Sequence, residues 1–305
     1  MRNIIIWLIG AYSLMTACGG STISQNGMFQ NNRQEDLSVL RVAVMPTLDC
    51  LPLFVASERG FFSNKGVEVL LVPYRAQMDQ DTAILRGWVE GIVTDLVRAE
   101  RLQRHDSLSL HYLTATSASW QLVSNKMARI KTPSQMKDKM MAMARFSATD
   151  FFADMLMDEA ALDSDEVFKI QVNDLKIRLG MLKTGIMDAM FLPEPQATEA
   201  RLLGSPIVMD THDGDLHFGV LAFKEVLYSL DFRKDQIEAF TEAYNDACDS
   251  INRYGLKFYG EIIKRYCETT DDVLKALPKN IHYNHAESPR DIDIQRARNW
   301  LDKQR

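Results

Sequence analysis

LPLFVASERGFFSNKGVEVLLVP, Leu51 to Pro73, reads as a short helix, a glycine stop, two phenylalanines, a second turn and a strand. It follows LRVAVM, Leu40 to Met45, an apolar run that reads as a strand. Pro52 falls in the first helical turn, where a missing N–H costs nothing. Gly60 stands where a helix ends in a left-handed residue. A strand, a short helix and a second strand form one α/β step. In such proteins the loop leaving the carboxyl end of a strand is where ligands bind. The segment over residues 46–52 is therefore expected to face a ligand.

The alternation continues. DTAILRGW reads as a helix ending near Gly87, GIVTD as a short strand, DLVRAERLQR as a helix and LSLHYLTAT as a strand. A second round starts after Asn125. TPSQMKDK is a helical turn, MMAMAR a strand, and SATDFFADMLMDEAAL an amphipathic helix with Phe152, Met155 and Leu156 on one face. Ser147 and Asp150 have capping-box spacing at its start. This order implies an α/β fold with mostly parallel sheets. LRGWVEGIVTD, Leu85 to Asp95, is echoed by LKTGIMDAMFLPE, Leu182 to Glu194, with Gly87 over Gly185 and Glu90 over Asp188. The rest is helical. KDQIEAFTEAYNDACDSINRY sets Ile237, Phe240, Tyr244, Ala247, Ile251 and Tyr254 at spacings of three and four. SPRDIDIQRARNWLDKQ adds a helix with Ser288 as N-cap, Pro289 at N1, and Ile292 and Trp300 inward.

Composition bounds the function. The 305 residues are 46% apolar and 25% charged, with a formal charge of -6. No basic run stands out, which removes electrostatic support for a nucleic-acid partner. MRN and the apolar run Ile4 to Met15 read as a secretory signal, residues 1–17, too short to cross a bilayer as a helix. Small residues Thr16 and Ala17 precede Cys18, and LMTAC resembles a bacterial lipobox, making Cys18 the lipidated first residue. Residues 18–38 are rich in Gly, Ser, Asn and Gln and read as a flexible tether. Cys50, Cys248 and Cys267 complete the cysteines; none are in CxxC spacing, so a metal or redox motif has no support. Cys248 and Cys267 either pair or lie buried as small hydrophobes on helices.

VASERGFFSNKGVEVLLVP resembles the opening signature of periplasmic solute-binding proteins of ABC importers, the branch for thiamine precursors, sulfonates, taurine and nitrate. Leu53-Phe54-Val55-Ala56, Glu58-Arg59-Gly60-Phe61-Phe62 and Gly66-Val67-Glu68-Val69 fill its places. Gly91 to Asp95, the stretch TPSQMKDKMMAMARFSATD and LKTGIMDAMFLPEPQA resemble later segments in the same order. The resemblance implies a two-lobed periplasmic-binding-protein type II fold. Lobe 1 would hold residues 39–124 and 217–305, with the C-terminal helices, and lobe 2 residues 125–216. It further implies a monomeric, non-catalytic lipoprotein on the periplasm-facing cell envelope, without cofactor. Its partners would be a small solute, an ABC permease and an ATPase. A ligand-sensing lipoprotein and an enzyme resembling thiamine-pyrimidine synthase are the rival classes, but the latter needs a cysteine cluster that this chain lacks.

Five loops should then converge on the cleft. They offer Thr47 and Asp49; Thr94 and Asp95; Ser117 and Trp120; Arg145 and Ser147; and Glu194. Asp95 and Ser147 serve equally well as helix caps, and Trp120 as core. Glu194, between Pro193 and Pro195 after an apolar strand, is a poor core residue. Asp49, Asp95 and Glu194 outnumber Arg145, which favours a solute bearing N–H donors, such as an aminopyrimidine, over a sulfonate or nitrate. HYNH, His282 to His285, reads as a solvated loop, and His212 and His217 mark the return between lobes.

Overall fold

The computed structural model describes residues 38–105 and 108–304. The expected signal, tether and Cys18 lie outside the described residues. Among the described residues ten strands form: β1 (Val39–Val44), β2 (Glu68–Pro73), β3 (Gly91–Asp95), β4 (Leu110–Ala115), β5 (Trp120–Ser124), β6 (Lys139–Met143), β7 (Val167–Gln171), β8 (Ala189–Pro193), β9 (Ile207–Asp210) and β10 (Gly219–Lys224). They make two five-stranded sheets, ordered β2-β1-β3-β10-β4 and β7-β6-β8-β5-β9. In each, four strands point the same way and one, β10 or β5, runs antiparallel to both of its neighbours. The sheets are thus mixed, because β10 and β5 arrive from the opposite lobe and enter reversed. The change of sheet falls between Ala115 and Trp120, not after residue 124, since β5 pairs with β8 and β9.

Helices cover the sheets: α1 (Leu51–Glu58), α2 (Phe61–Asn64), α3 (Gln77–Leu85), α4 (Leu96–His105), α5 (Ala148–Glu159), α6 (Leu175–Thr184), α7 (Gln196–Leu202), α8 (Asp231–Tyr254), α9 (Gly260–Cys267), α10 (Asp271–Ala276) and α11 (Asp291–Lys303). The opening stretch folds as read: Pro52 lies in the first turn of α1 and Gly60 takes φ 71° beyond its end. The stripe on α8 is buried from Ile237 to Ile251, while Tyr254 is exposed and stacks on Phe258. Phe240 on that stripe meets Phe62 at 5.1 Å and Phe223 of β10 at 5.2 Å, which clamps α8 to the first sheet. α11 begins later than its Ser-Pro signal: Arg290 is the N-cap, and Ile292 is exposed while Trp300 is buried. Cys50, Cys248 and Cys267 are buried and unpaired.

The sequence echo is a structural one. Gly87 and Gly185, at φ 72° and 75°, follow the ends of α3 and α6. Glu90 accepts from the backbone N–H of Arg41 on β1 at 2.8 Å, and Asp188 from that of Met140 on β6 at 2.9 Å. The carbonyls of Glu90 and Asp188 accept from Lys224 at 3.0 Å and Asn125 at 2.7 Å, just where β10 and β5 end. Each acid thus stitches its own strand to two neighbours, and the two lobes repeat one layout.

Candidate functional site

The lobes meet where the loop after β1 abuts the loop after β8. The Leu48 N–H donates to the Glu194 carbonyl at 2.9 Å, and the Gln196 amide donates to the Pro46 carbonyl at 2.8 Å. A cavity of about 640 Å³ opens beside this junction. Its walls come from the loop after β1, the crossing at Thr116 to Ser119, the end of β8, the return crossing, and the extended segment of residues 278–290. Three sequence-predicted residues line it together: Asp49, Ser117 and Glu194.

Glu194 is held from several sides. Its Oε2 accepts from the Thr198 N–H at 3.0 Å, in the first turn of α7. Its Oε1 accepts from Gln121 Nε2 at 3.2 Å and Arg201 Nη2 at 3.0 Å. Arg201 also donates to the Thr198 hydroxyl. Glu194 is thus a cavity-wall residue whose charge is already balanced. Asp49 differs. Its side chain is half-buried, and its Oδ2 faces the Thr116 hydroxyl at 3.4 Å. Burial pushes its carboxyl up from the ordinary range against the pull of those hydroxyl and backbone donors.

The other six predicted residues do not line this cavity. Thr47 is buried in the turn before α1, with its hydroxyl 3.8 Å from Cys50 Sγ. Thr94 is buried with an unpartnered hydroxyl. Trp120 packs 5.7 Å from Phe152 in the apolar core, because its indole falls on the inward face of β5. Arg145 is exposed over the Phe146 ring, and only its carbonyl, accepting from Arg98 at 3.2 Å, joins the lobes. Ser147 is wholly buried as the N-cap of α5, accepting from the Thr149 N–H. Asp150 reaches the N–H of Phe146 rather than of Ser147, a capping box displaced by one residue.

Asp95 forms a separate joint between the lobes. One oxygen accepts from the Arg98 N–H at 3.0 Å and the Ala148 N–H at 2.9 Å, so it caps α4 in one lobe and α5 in the other. The second oxygen accepts from Gln77 at 2.9 Å. Burial pushes its carboxyl up to about 6, with the Arg98 charge pulling the other way.

Sequence reading missed the wall at residues 278–290. His282 and His285 are exposed, as a solvated loop requires, yet both line the cavity. Between them Tyr283 is buried and its hydroxyl donates to the Leu48 carbonyl at 3.0 Å. A lone aromatic between polar neighbours, Tyr283 in NIHYNHAE, was the available signal. Also unread was Arg178, buried on α6. It donates to the carbonyls of Val172 at 2.5 Å and Phe191 at 3.0 Å, tying the ends of β7 and β8.

Two mixed α/β lobes joined by two crossings, with a cavity against the crossings, define a periplasmic-binding-protein fold. Residues 47–252 match the family model described as NMT1/THI5 like, and the chain belongs to that family. No curated protein matches. Solved structures share the fold at low identity. The ligand-binding component of an ABC-type import system from Staphylococcus aureus, with zinc bound, has a TM-score of 0.73 at 14% identity, covering 88% of this chain and 92% of that one. The alkanesulfonate-binding protein of Xanthomonas axonopodis pv. citri, bound to MOPS, gives 0.71 at 13%, covering 87% and 92%. The periplasmic nitrate-binding protein of Synechocystis PCC 6803 gives 0.66 at 12%, covering 84% and 75%.

Proposed function

We propose that this chain is the solute-binding subunit of an ABC import system, a binder rather than an enzyme, working with a permease and an ATPase. Its family and the binding proteins that share its fold support the class. The 640 Å³ cavity between the lobes has the size of a small-molecule site. Cys18, before which the apolar run ends in small residues, is the proposed lipid anchor; Cys18→Ala should move the protein out of the membrane fraction.

The solute we infer presents N–H donors, as an aminopyrimidine does. One observation carries this. Both guanidiniums on the cavity wall are committed to carboxylates: Arg201 to Glu194, and Arg290 to Asp215 at 2.7 Å and Asp293 at 2.6 Å. Asp49 meets only hydroxyl and backbone donors. A small oxyanion therefore finds no uncommitted guanidinium on the wall, while a donor finds a carboxylate. The sulfonate and nitrate binding of the structural neighbours makes anions the rival class.

Calorimetric titration of the purified chain with aminopyrimidines, alkanesulfonates and nitrate decides. Asp49→Asn keeps the side chain's shape and replaces one acceptor with a donor. It should cost a donor-bearing solute about 1.5–3 kcal/mol, the worth of a charged hydrogen bond. Asp49 accepts best when ionised. Because its pKa is raised, affinity for a donor should fall as pH drops through that raised value. A sulfonate or nitrate that binds more tightly than every aminopyrimidine would overturn the solute class.

A further inference from the structure

Five exposed apolar side chains stand at one rim of lobe 1: Leu85 at the end of α3, Trp88 just beyond it, Val226 in the turn after β10, and Leu230 and Phe232 at the start of α8. The sheet explains why they meet. β1, β2, β3 and β4 begin at this rim and β10 ends there, as Val39 pairs with Glu68, Phe223 with Gly91 and Lys224 with Leu110. Strands about 4.8 Å apart make the rim about 20 Å long. Local contacts join the row. A Cβ on Gly87, next to Trp88, would lie 3.7 Å from Lys224 Nζ, two residues before Val226. The Arg233 N–H donates to the Leu230 carbonyl at 2.9 Å, and the Arg233 guanidinium lies 5.5 Å from the centre of the Phe232 ring.

The course of the chain says what covers this face. Ser38 and Val39 enter the sheet at the same rim and are pinned to the first two turns of α8. Gln236 Nε2 donates to the Ser38 carbonyl at 2.7 Å, and Arg233 Nη1 to the Val39 carbonyl at 3.3 Å. The 20 residue steps back to Cys18 reach at most about 70 Å even when fully extended. An anchor at Cys18 therefore holds the protein to a bilayer by this end. Tryptophan and phenylalanine among aliphatics is also the composition that settles at the boundary of headgroups and acyl chains. The exposed charges of the rim nearly balance, Arg86 and Lys234 against Glu225, Asp231 and Asp235, so apolar insertion outweighs attraction to anionic lipid here. The solute side stays free. The first cavity takes Leu48 and a second, of about 300 Å³, takes Pro46, both beyond the far end of β1.

We propose that this rim of lobe 1 is a membrane-docking face, which lays Trp88, Val226, Leu230 and Phe232 into the surface of the bilayer that holds Cys18. The idea rests on the lipid anchor of the proposed function and adds a second, non-covalent contact to it. Insertion of so few side chains is weak and reversible by itself, in keeping with release of Cys18→Ala from membranes. With the anchor in place, the face fixes which end of the molecule lies on the lipid and turns the cavities away from it.

The test uses the full chain extracted from membranes and reconstituted into phosphatidylcholine vesicles with brominated acyl chains, which quench tryptophans that reach them. Trp88 is 52% exposed while Trp120 and Trp300 are 7% each, so Trp88 is the reporter among the described residues. Its emission should be quenched, and Trp88→Phe should remove most of that signal. Val226→Asp combined with Leu230→Asp should reduce quenching several-fold and leave the solute titration of the first cavity unchanged. Tyr254→Ser, exposed at the other end of the 24-residue α8 and about 36 Å away, should leave quenching as it is. Raised salt should change little. Mass spectrometry of the N-terminal peptide reads the lipid on Cys18 separately. Lipid present without Trp88 quenching, or quenching unmoved by the paired aspartates, overturns the docking face and leaves the anchor standing. If Cys18 carries no lipid, the chain is added to the same vesicles at millimolar lipid; saturable quenching of Trp88 then upholds the face without the anchor, and its absence overturns both. Dimers that bury Trp88 in the absence of lipid would assign the rim to a second copy and overturn the proposal.

Discussion

Asp95 carries an unusual load for one side chain. It caps two helices from two lobes through one oxygen while almost wholly buried. Burial pushes its pKa up to about 6, well above the ordinary aspartate range. For an acid, a raised folded pKa means that ionisation is disfavoured more in the folded chain than in the unfolded one. The associated stability is complete below the unfolded value and is lost as pH rises through about 6. The shift corresponds to about 3 kcal/mol. Asp95→Asn mimics the protonated acid: its Oδ1 can still accept from Arg98 and Ala148, and its amide can meet the Gln77 oxygen after that side chain flips. Thermal denaturation at pH 8 should therefore show the Asn variant more stable than the wild type, with the two converging near pH 4. A variant that is less stable at every pH would mean that the ionised cap outweighs its burial. The residue's place beyond a strand end was legible from GIVTD. Its partner Ala148 was not, because the two are 53 positions apart and only the packing of the lobes brings them together.

At the scale of elements, periodicity was a good guide where one face of an element decides its fate. α5 and α8 follow their apolar stripes, whereas α1 is buried on every face from Leu51 to Ala56. The repeat of glycine, acid and strand marked β3 and β8 because each acid has a local backbone task that recurs in both lobes. The mixed direction of the sheets was not legible, since β5 and β10 look like any apolar strand until the crossings assign them to a sheet. Residues 278–290 were opaque for another reason: an extended wall without secondary structure has no period. One strand position tests the crossing that borders the first cavity. A Cβ on Gly219, at the start of β10, would lie 2.2 Å from the Thr116 hydroxyl oxygen and 2.5 Å from the Ala118 Cβ. Gly219→Ala must push that crossing away, and relief of such overpacking typically costs about 1–3 kcal/mol. Because Ser117 and Asp49's partner Thr116 lie on the same crossing, affinity for the first cavity's solute should drop along with the melting temperature. Loss of stability with unchanged affinity would separate the crossing from the site.

The whole molecule is knit more tightly than two lobes on a hinge. Phe218, on the return crossing, stacks on Phe151 at 4.8 Å and meets Phe152 edge-on at 5.2 Å, both on α5 of the other lobe. Trp300 of α11 stands edge-on to Phe151 at 6.3 Å, and its indole N–H donates to Asp154 at 2.9 Å. One apolar cluster therefore runs from Ile92 and Val220 in the first sheet through Phe218 to Phe152 and Phe191 in the second. Full separation of the lobes would expose these rings to water, so solute-linked motion should be confined to the cavity side of the molecule. Small-angle scattering should then show only a slight contraction on saturation with solute. Unfolding should be one cooperative transition, with calorimetric and van't Hoff enthalpies equal. Phe218 is the ring through which both lobes are coupled. Phe218→Ala should cost about 3–5 kcal/mol, the usual toll for emptying a buried phenylalanine site. It should also split the thermal transition in two, because each lobe keeps its own sheet while the shared ring is gone. A single transition at a lower temperature in the variant would show that the crossings and the polar joints at Glu194 and Asp95 couple the lobes without the aromatic seam.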